Sequence, residues 1–114
     1  MEFPVEKIEA MIYTIRGHRV MLDSDLAKLY GVETKRLKEQ VKRNIDRFPQ
    51  DFLIKPNLSA LATLRSQIAT LNKSSLENYA FKHVPYLFTE NGVAMLSSVL
   101  QSKQAIQVNI TLTG

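Results

Sequence analysis

The 114-residue chain contains no cysteine, so disulfides, thiolate zinc sites and cysteine nucleophiles are all excluded. No apolar run approaches the roughly 18 residues that a membrane-spanning helix needs. The first seven residues are too acidic and polar for a secretory signal. The absence of cysteine also fits a reducing compartment. Together these absences favour a cytoplasmic protein that makes no contact with a membrane.

The residue patterns of common catalytic sites are missing as well. His18 and His83 lie far apart and do not have the spacing of metal ligands. There is no glycine-rich phosphate loop and no serine in a nucleophile elbow. Tyr30 and Tyr86 are interpreted as aromatic residues at the edge of the core rather than as nucleophiles. The sequence therefore predicts no enzyme, no cofactor and no bound metal.

The positive charge of the chain is concentrated in one short segment. Six basic and two acidic residues fall between Thr34 and Arg47, which gives this segment a charge of +4, equal to the net charge of the whole chain. The remaining 100 residues hold nine of each sign. In many proteins an exposed basic helix has no role other than to keep the protein soluble. The same charge also suits a surface that approaches phosphates.

The segment Ser24–Arg47 has the spacing of a helix-turn-helix. Residues 23–25 offer side chains that can cap a helix starting at Leu26. Ala27 supplies the small residue needed where two helices cross, and Gly31 supplies the positive φ of a tight turn. The same spacing occurs in ordinary helical hairpins, so the pattern by itself leaves DNA binding open.

A second helix is predicted from Thr34 to Ile45 or Arg47, and Pro49 ends it. Its apolar seam has helical spacing and consists of Leu37, Val41, Ile45 and Phe48. On a helical wheel centred on this seam the basic residues form two flanks, an arginine flank of Arg36, Arg43 and Arg47 and a lysine flank of Lys35, Lys38 and Lys42. A helix lying in the major groove has phosphates on both sides, and this arrangement suits it.

Residues near the start of a DNA-contacting helix reach deepest into the groove, so Thr34, Lys35 and Glu39 are candidates for contact with base edges. Glu39 can accept a hydrogen bond from cytosine, and Gln40 beside it can pair with adenine. Two alternatives stay open. Thr34 can instead cap the helix, and Glu39 can instead form an ion pair with Lys35 or Arg43.

The residues better placed for phosphates are Lys38, Lys42, Arg43 and Arg47. Glu39 and Asp46 near the outer pole of the helix argue against a purely nonspecific phosphate binder. Asn44 lies close to the apolar seam, where we expect a buried structural hydrogen bond. The predicted DNA-contacting residues are Thr34, Lys35, Arg36, Lys38, Glu39, Gln40, Lys42, Arg43 and Arg47.

Strands are predicted on both sides of the basic segment. Their ranges are 12–16, 19–22, 52–54 and 84–88. Gly17-His18 is predicted as the turn of a hairpin between the first two. Pro85 places the last strand near a sheet edge, because proline cannot donate to a ladder.

Further helices are predicted outside the basic segment. A short one begins the chain around Val5, and another is capped by Asn57 or Ser59 and buries Leu61, Leu64 and Ile68. Thr89 caps a helix whose buried stripe is Val93, Leu96, Val99 and Leu100. A loop is predicted over 70–78 and a final helix from Ser102.

Several longer runs resemble the ORF-six-N domain family, which is related to the KilA-N and BRO N-terminal domains of large DNA viruses, phages and prophages. The resemblance covers roughly residues 8–110. The matching runs are 12–17 (IYTIRG), 20–27 (VMLDSDLA), 30–35 (YGVETK), 41–44 (VKRN), 47–52 (RFPQDF), 64–67 (LRSQ) and 85–96 (PYLFTENGVAML).

The resemblance implies a single α+β domain over residues 1–114, in which a helix-turn-helix packs beside a short antiparallel sheet. It implies DNA binding at the front of a phage antirepressor-type regulator, joined to a further C-terminal domain, with no catalysis and no metal. The family usually has a glycine- and arginine-containing stretch before the Pro-Tyr strand. Residues 79–84 (YAFKHV) stand there instead, so a DNA contact from this stretch is not carried over. Arg65 is a candidate second contact or a structural ion-pair partner.

The leading hypothesis is sequence-specific binding of double-stranded DNA in the transcriptional control of a phage, prophage or mobile element. A homodimer fits two-fold symmetric sites, with the apolar final helix as its surface. The alternative is a protein-interaction module that grips a repressor or another acidic partner. A third hypothesis, a metal-dependent nuclease, uses Asp23 and Asp25, for which helix capping is the simpler role.

Overall fold

The computed structural model describes residues 8–70 and 83–100. It has an α+β fold, as the resemblance implied. The strands are β1 (Ile12–Ile15), β2 (His18–Leu22), β3 (Leu53–Ile54) and β4 (Leu87–Thr89), and the helices are α1 (Asp23–Tyr30), α2 (Thr34–Arg43), α3 (Leu58–Thr70) and α4 (Glu90–Leu100). Residues 1–7, 71–82 and 101–114, which include most of the predicted first helix, the predicted loop and the predicted final helix, lie outside the described residues.

The hairpin between β1 and β2 turns at a different dipeptide from the one predicted. Ile15 pairs with His18, so the turn is Arg16-Gly17 and the predicted Gly17-His18 turn is wrong by one residue. The φ angles are 53° at Arg16 and 80° at Gly17. Positive φ at both central residues is what the type I′ hairpin turn requires. Arg16 therefore takes a conformation that glycine adopts more easily, and the sequence pattern gave no sign of this.

The four strands form one antiparallel sheet in the order β1-β2-β4-β3. β4 is therefore an inner strand, with Phe88 opposite both Met21 and Leu53. The predicted edge position of this strand is wrong. Pro85 is tolerated because it precedes the paired residues of β4 and removes no donor from the ladder.

Helices cover both faces of the sheet. Side chains alternate along β2, so Met21 packs in one apolar cluster with residues of α1, α2 and α4, whereas Val20 and Leu22 pack in another with α3. The second cluster includes Leu64 and Ile68, which were predicted to be buried. The sheet thus separates α3 from the three helices on the other face.

Two side chains secure α3. Asn57 Oδ1 accepts a hydrogen bond from the backbone N–H of Ala60 at 2.9 Å, which confirms Asn57 as the predicted cap. Further along the helix, Gln67 pairs with the backbone of β1: its Oε1 accepts from Thr14 N–H at 3.0 Å and its Nε2 donates to Thr14 C=O at 2.8 Å. A side chain therefore satisfies both backbone groups of Thr14 at the outer edge of the sheet.

The junction of β4 and α4 is built on a threonine and a glycine. Thr89 Oγ1 accepts from Gly92 N–H at 3.3 Å, which confirms the predicted cap, and donates to Asp51 C=O at 2.6 Å. A Cβ added at Gly92 would lie 1.9 Å from the carbonyl oxygen of Phe52. Gly92 is therefore required so that α4 can lie against the loop before β3.

We predict that Gly92→Ala lowers the free energy of unfolding by about 1–3 kcal/mol or more, because the backbone carbonyl of Phe52 has to move. Chemical denaturation followed by circular dichroism measures the loss. Ser98→Ala at an exposed position of the same helix is the matched control and should change stability by less than about 0.5 kcal/mol. Equal stability of the two variants would contradict the close approach.

Candidate nucleic-acid interface

The first helix of the basic pair begins earlier than its capping residues suggested. α1 starts at Asp23, directly after β2, and its N-cap Leu22 makes no side-chain capping bond. The expectation that residues 23–25 cap a helix from Leu26 is therefore wrong. Asp23 is instead tied to the segment before β4, since its N–H donates to Tyr86 C=O at 3.1 Å and its Oδ2 accepts from Tyr86 N–H at 3.0 Å.

A short turn links α1 to α2. Gly31 has φ 70° and ψ 31°, and its N–H donates to the carbonyls of Ala27 and Lys28, which ends the helix in the way a left-handed glycine usually does. Val32 N–H then donates to Ala27 C=O at 2.9 Å, and the Val32 side chain packs against the apolar cluster. The turn and its glycine lie where the sequence predicted them.

Helix α2 buries one side and exposes the rest. Leu37 and Val41 are fully buried, and they hold the helix against the cluster that contains α1 and α4. Thr34 and Gln40 are half-buried beside this seam. The exposed predicted contact residues are Lys35, Arg36, Glu39, Lys42, Arg43 and Arg47.

The end of α2 departs from the predicted seam. The helix stops at Arg43, and a 3-10 turn follows at Ile45–Arg47. Asn44 lies between the two, half-buried, and its Nδ2 donates to Gln40 C=O at 2.8 Å, so it is the structural hydrogen bonder that was expected. Because the helix does not continue, Ile45 is rotated out of the core and is 44% exposed. Its predicted place in the buried seam is wrong.

Lys38 makes its polar contacts within the protein. Its ammonium lies 3.3 Å from Asp23 Oδ2, and Asp23 is fully buried while the Lys38 side chain is 23% exposed. The same Nζ donates to Val84 C=O at 3.4 Å and lies 5.1 Å from the centre of the Tyr86 ring. The carboxylate of Asp23 neutralises this lysine, which was predicted to contact phosphate. A helical wheel of α2 does not reveal this partner, because Asp23 belongs to another helix.

Tyr86 joins the basic helix to the sheet. Its ring has a second ammonium, that of Lys55, at 5.7 Å from its centre, and it packs edge-on against Phe88. Tyr30 packs in the core at the end of α1, where desolvation raises the pKa of its hydroxyl far above the usual range. Both tyrosines therefore have packing roles at or near the core, as predicted.

The structure adds one residue to the lysine flank. A groove of about 450 Å³ runs beside α2, and it is lined by Thr34, Lys35, Lys38, Glu39, Lys42 and His83. His83 was considered in the sequence only as a metal ligand, and no spacing rule connects it with α2. His83 lies beside α2 because Asp23 and Tyr86 are hydrogen-bonded, and the sequence does not show that pairing.

Other sequence candidates are not brought to this surface. Arg65 is half-buried on α3, which packs on the opposite face of the sheet from α2. Within residues 8–70 and 83–100, no three histidine, cysteine, aspartate or glutamate side chains are grouped as metal ligands would be. Asp23 is one of the two acids of the nuclease hypothesis. Its carboxylate forms an ion pair with Lys38 and accepts hydrogen bonds from the N–H groups of Tyr86 and Ser24.

Residues 10–99 match the family profile described as the ORF6N domain. The match spans most of the chain and every strand of the sheet. The chain belongs to the ORF6N domain family. This is the family that the sequence resembled, and membership indicates a regulatory role of the phage antirepressor type. No curated protein and no solved structure shows significant similarity to the chain.

The family match places the basic helix and its support within the ORF6N domain itself. The helix α2, the buried Asp23, the groove residue His83 and the segment leading into β4 all fall inside residues 10–99. Within residues 8–70 and 83–100 of this ORF6N chain, none of the helices could serve as a membrane span.

We predict that Lys38→Met destabilises this ORF6N domain by about 2–3 kcal/mol, because it leaves the buried Asp23 carboxylate without its cation. The partial exposure of Lys38 keeps the value below that of a fully buried pair. Lys42→Met, one turn later on the same helix and exposed, is the matched control and should cost less than about 0.5 kcal/mol.

A double-mutant cycle isolates the pair itself. Asp23→Asn and Lys38→Met together should cost clearly less than the sum of the two single changes, since each single change strands the other partner. Chemical denaturation of the wild type, the two single variants and the double variant gives the coupling free energy between the two side chains. Additive losses would show that the two side chains do not depend on each other.

Proposed function

We propose that this ORF6N domain binds double-stranded DNA sequence-selectively as the DNA-contacting module of a phage or prophage transcriptional regulator, with α2 lying in the major groove. The observation that carries the proposal is the disposition of α2. Its apolar residues Leu37 and Val41 are buried, while basic side chains on both flanks are exposed. The major groove admits an α-helix and has phosphates on either side of it.

The helix pair supplies the support that such a docking needs. In helix-turn-helix proteins the second helix enters the major groove while the first crosses the backbone. Here Gly31 and Val32 fix the turn, and Leu37 packs α2 onto the cluster shared with α1. The contact surface is therefore held on rigid elements, which lowers the entropy lost on binding.

The exposed residues divide into two groups by position. Lys42, Arg43 and Arg47 lie toward the end of the segment and are assigned to phosphates. Lys35 and Glu39 lie nearer the start of α2 and are assigned to base edges. Thr34 and Gln40, both half-buried, border this second group. Arg36 faces phosphate on the arginine flank, and Lys38 has a supporting role through Asp23.

We predict that Lys42→Ala and Arg43→Ala each weaken binding to all duplexes alike, by about three- to tenfold, and lower the salt slope by about one. Each change removes one counterion-releasing contact. Fluorescence anisotropy over a range of salt concentrations measures both quantities. Arg19→Ala removes the same charge from an exposed position on β2 and is the control for net charge. Affinity that does not depend on salt would contradict the proposal.

We predict that Lys35→Ala changes the preferred sequence as well as the affinity, because it removes a base contact. Selection from a random duplex pool, carried out with the wild type and with Lys35→Ala, shows the difference. The half-site symmetry of the selected sequences also tests the homodimer. An unchanged preference would move Lys35 to the phosphate contacts.

An acidic protein partner, such as a repressor, would also be attracted by this surface. The two cases separate when a purified duplex and a purified partner compete for the domain. If the wild type binds no duplex in the random pool at low salt, the DNA proposal fails and the protein-interaction alternative takes its place.

A further inference from the structure

The lysine flank of α2 has a second wall that comes from a distant part of the chain. His83 lines the groove together with Lys35 and Lys42, although it comes after α3 in sequence and directly precedes the segment that leads into β4. The groove therefore belongs to two elements. A flank built in this way can enclose a ligand from two sides, which a single helix face cannot do.

The second wall is fixed relative to α2 by the contacts of the residues that follow His83. Val84 C=O accepts from Lys38 Nζ at 3.4 Å, and Tyr86 N–H donates to the buried Asp23 at 3.0 Å. Pro85 between them is buried. The width of the groove is thus set by contacts that exist before any ligand arrives, and a preorganised site binds at lower entropic cost.

The chemistry of the groove suits an anion. Lys35 and Lys42 are exposed along it, and Glu39 is the acid on the same wall. Lys38 contributes little net charge to the groove because Asp23 lies 3.3 Å from its ammonium. His83 adds an imidazole, which has an N–H donor in either neutral tautomer.

We infer that this groove holds the sugar-phosphate backbone of one DNA strand, with His83 and Lys42 as phosphate contacts, while Lys35 remains a base contact. The inference rests on the proposed function and assigns one strand of the duplex to the lysine flank. The arginine flank, with Arg36 and Arg43, then faces the other strand. His83 fixes the position of the strand and carries no sequence information, as is usual for phosphate contacts.

Two variants of His83 test the contact. His83→Ala should weaken binding to the selected duplex and to random duplex alike, by about three- to tenfold. His83→Lys keeps an N–H donor at this position and adds a positive charge, so it should bind at least as tightly as the wild type. Fluorescence anisotropy gives the affinities, and thermal melts by circular dichroism confirm that both variants fold.

Neutral phosphate analogues show which strand His83 contacts. Single methylphosphonates are placed at each position of the selected duplex, and the affinity is measured for wild type, His83→Ala, Lys42→Ala and Arg43→Ala. Some methylphosphonates should weaken binding of the wild type but no longer affect His83→Ala. These positions should neighbour, on the same strand, the positions at which Lys42→Ala becomes insensitive. The positions lost in Arg43→Ala should lie on the other strand.

The outcomes distinguish this inference from the function on which it rests. If Lys42→Ala and Arg43→Ala weaken binding but His83→Ala matches the wild type, DNA binding stands and the His83 contact is wrong. If His83→Ala and Arg43→Ala become insensitive to methylphosphonates at the same positions, the strand assignment is wrong. If the wild type binds no duplex, both proposals fall together.

Discussion

The carboxylate of Asp23 is fully buried, and four parts of the molecule meet at it. Asp23 is the first residue of α1 and directly follows β2. Its carboxylate oxygens accept hydrogen bonds from the backbone N–H groups of Ser24 and Tyr86 and face the ammonium of Lys38 on α2. Removing such ions from water costs several kcal/mol each unless hydrogen bonds satisfy them. The two backbone donors and the lysine meet this requirement, so strand, helix pair and the segment before β4 keep one mutual arrangement.

This arrangement explains why a basic helix on a small domain can present a defined surface. Leu37 and Val41 fix the rotation of α2 about its axis, because only one face of the helix is apolar. The ion pair between Asp23 and Lys38 adds a directional tie on the lysine flank. The exposed charges of the flanks therefore keep their spacing, which is what distinguishes docking in a groove from loose attraction to phosphate.

Local patterns predicted much of the fold and several of the residues that support the candidate site. The sequence predicted the turn glycine Gly31, the buried Leu37 and Val41, and the caps Asn57 and Thr89, because each acts through neighbours in sequence. What was missed depends on partners that are distant in the chain. The inner position of β4, the neutralised Lys38 and the groove residue His83 all follow from pairing between residues near 23 and residues near 86. The Arg16-Gly17 turn was missed for a different reason, because a strained arginine there is not a usual turn residue.

The side chain of Gln67 has a consequence beyond the packing of α3. A sheet of four strands leaves two borders at which a strand from another molecule can add, and such addition leads to aggregation. At one of them Gln67 occupies both the N–H and the C=O of Thr14, so an incoming strand has to displace an amide that already matches the backbone it would replace. Copies of the domain that meet at high concentration therefore find a sheet edge that is already occupied at this residue.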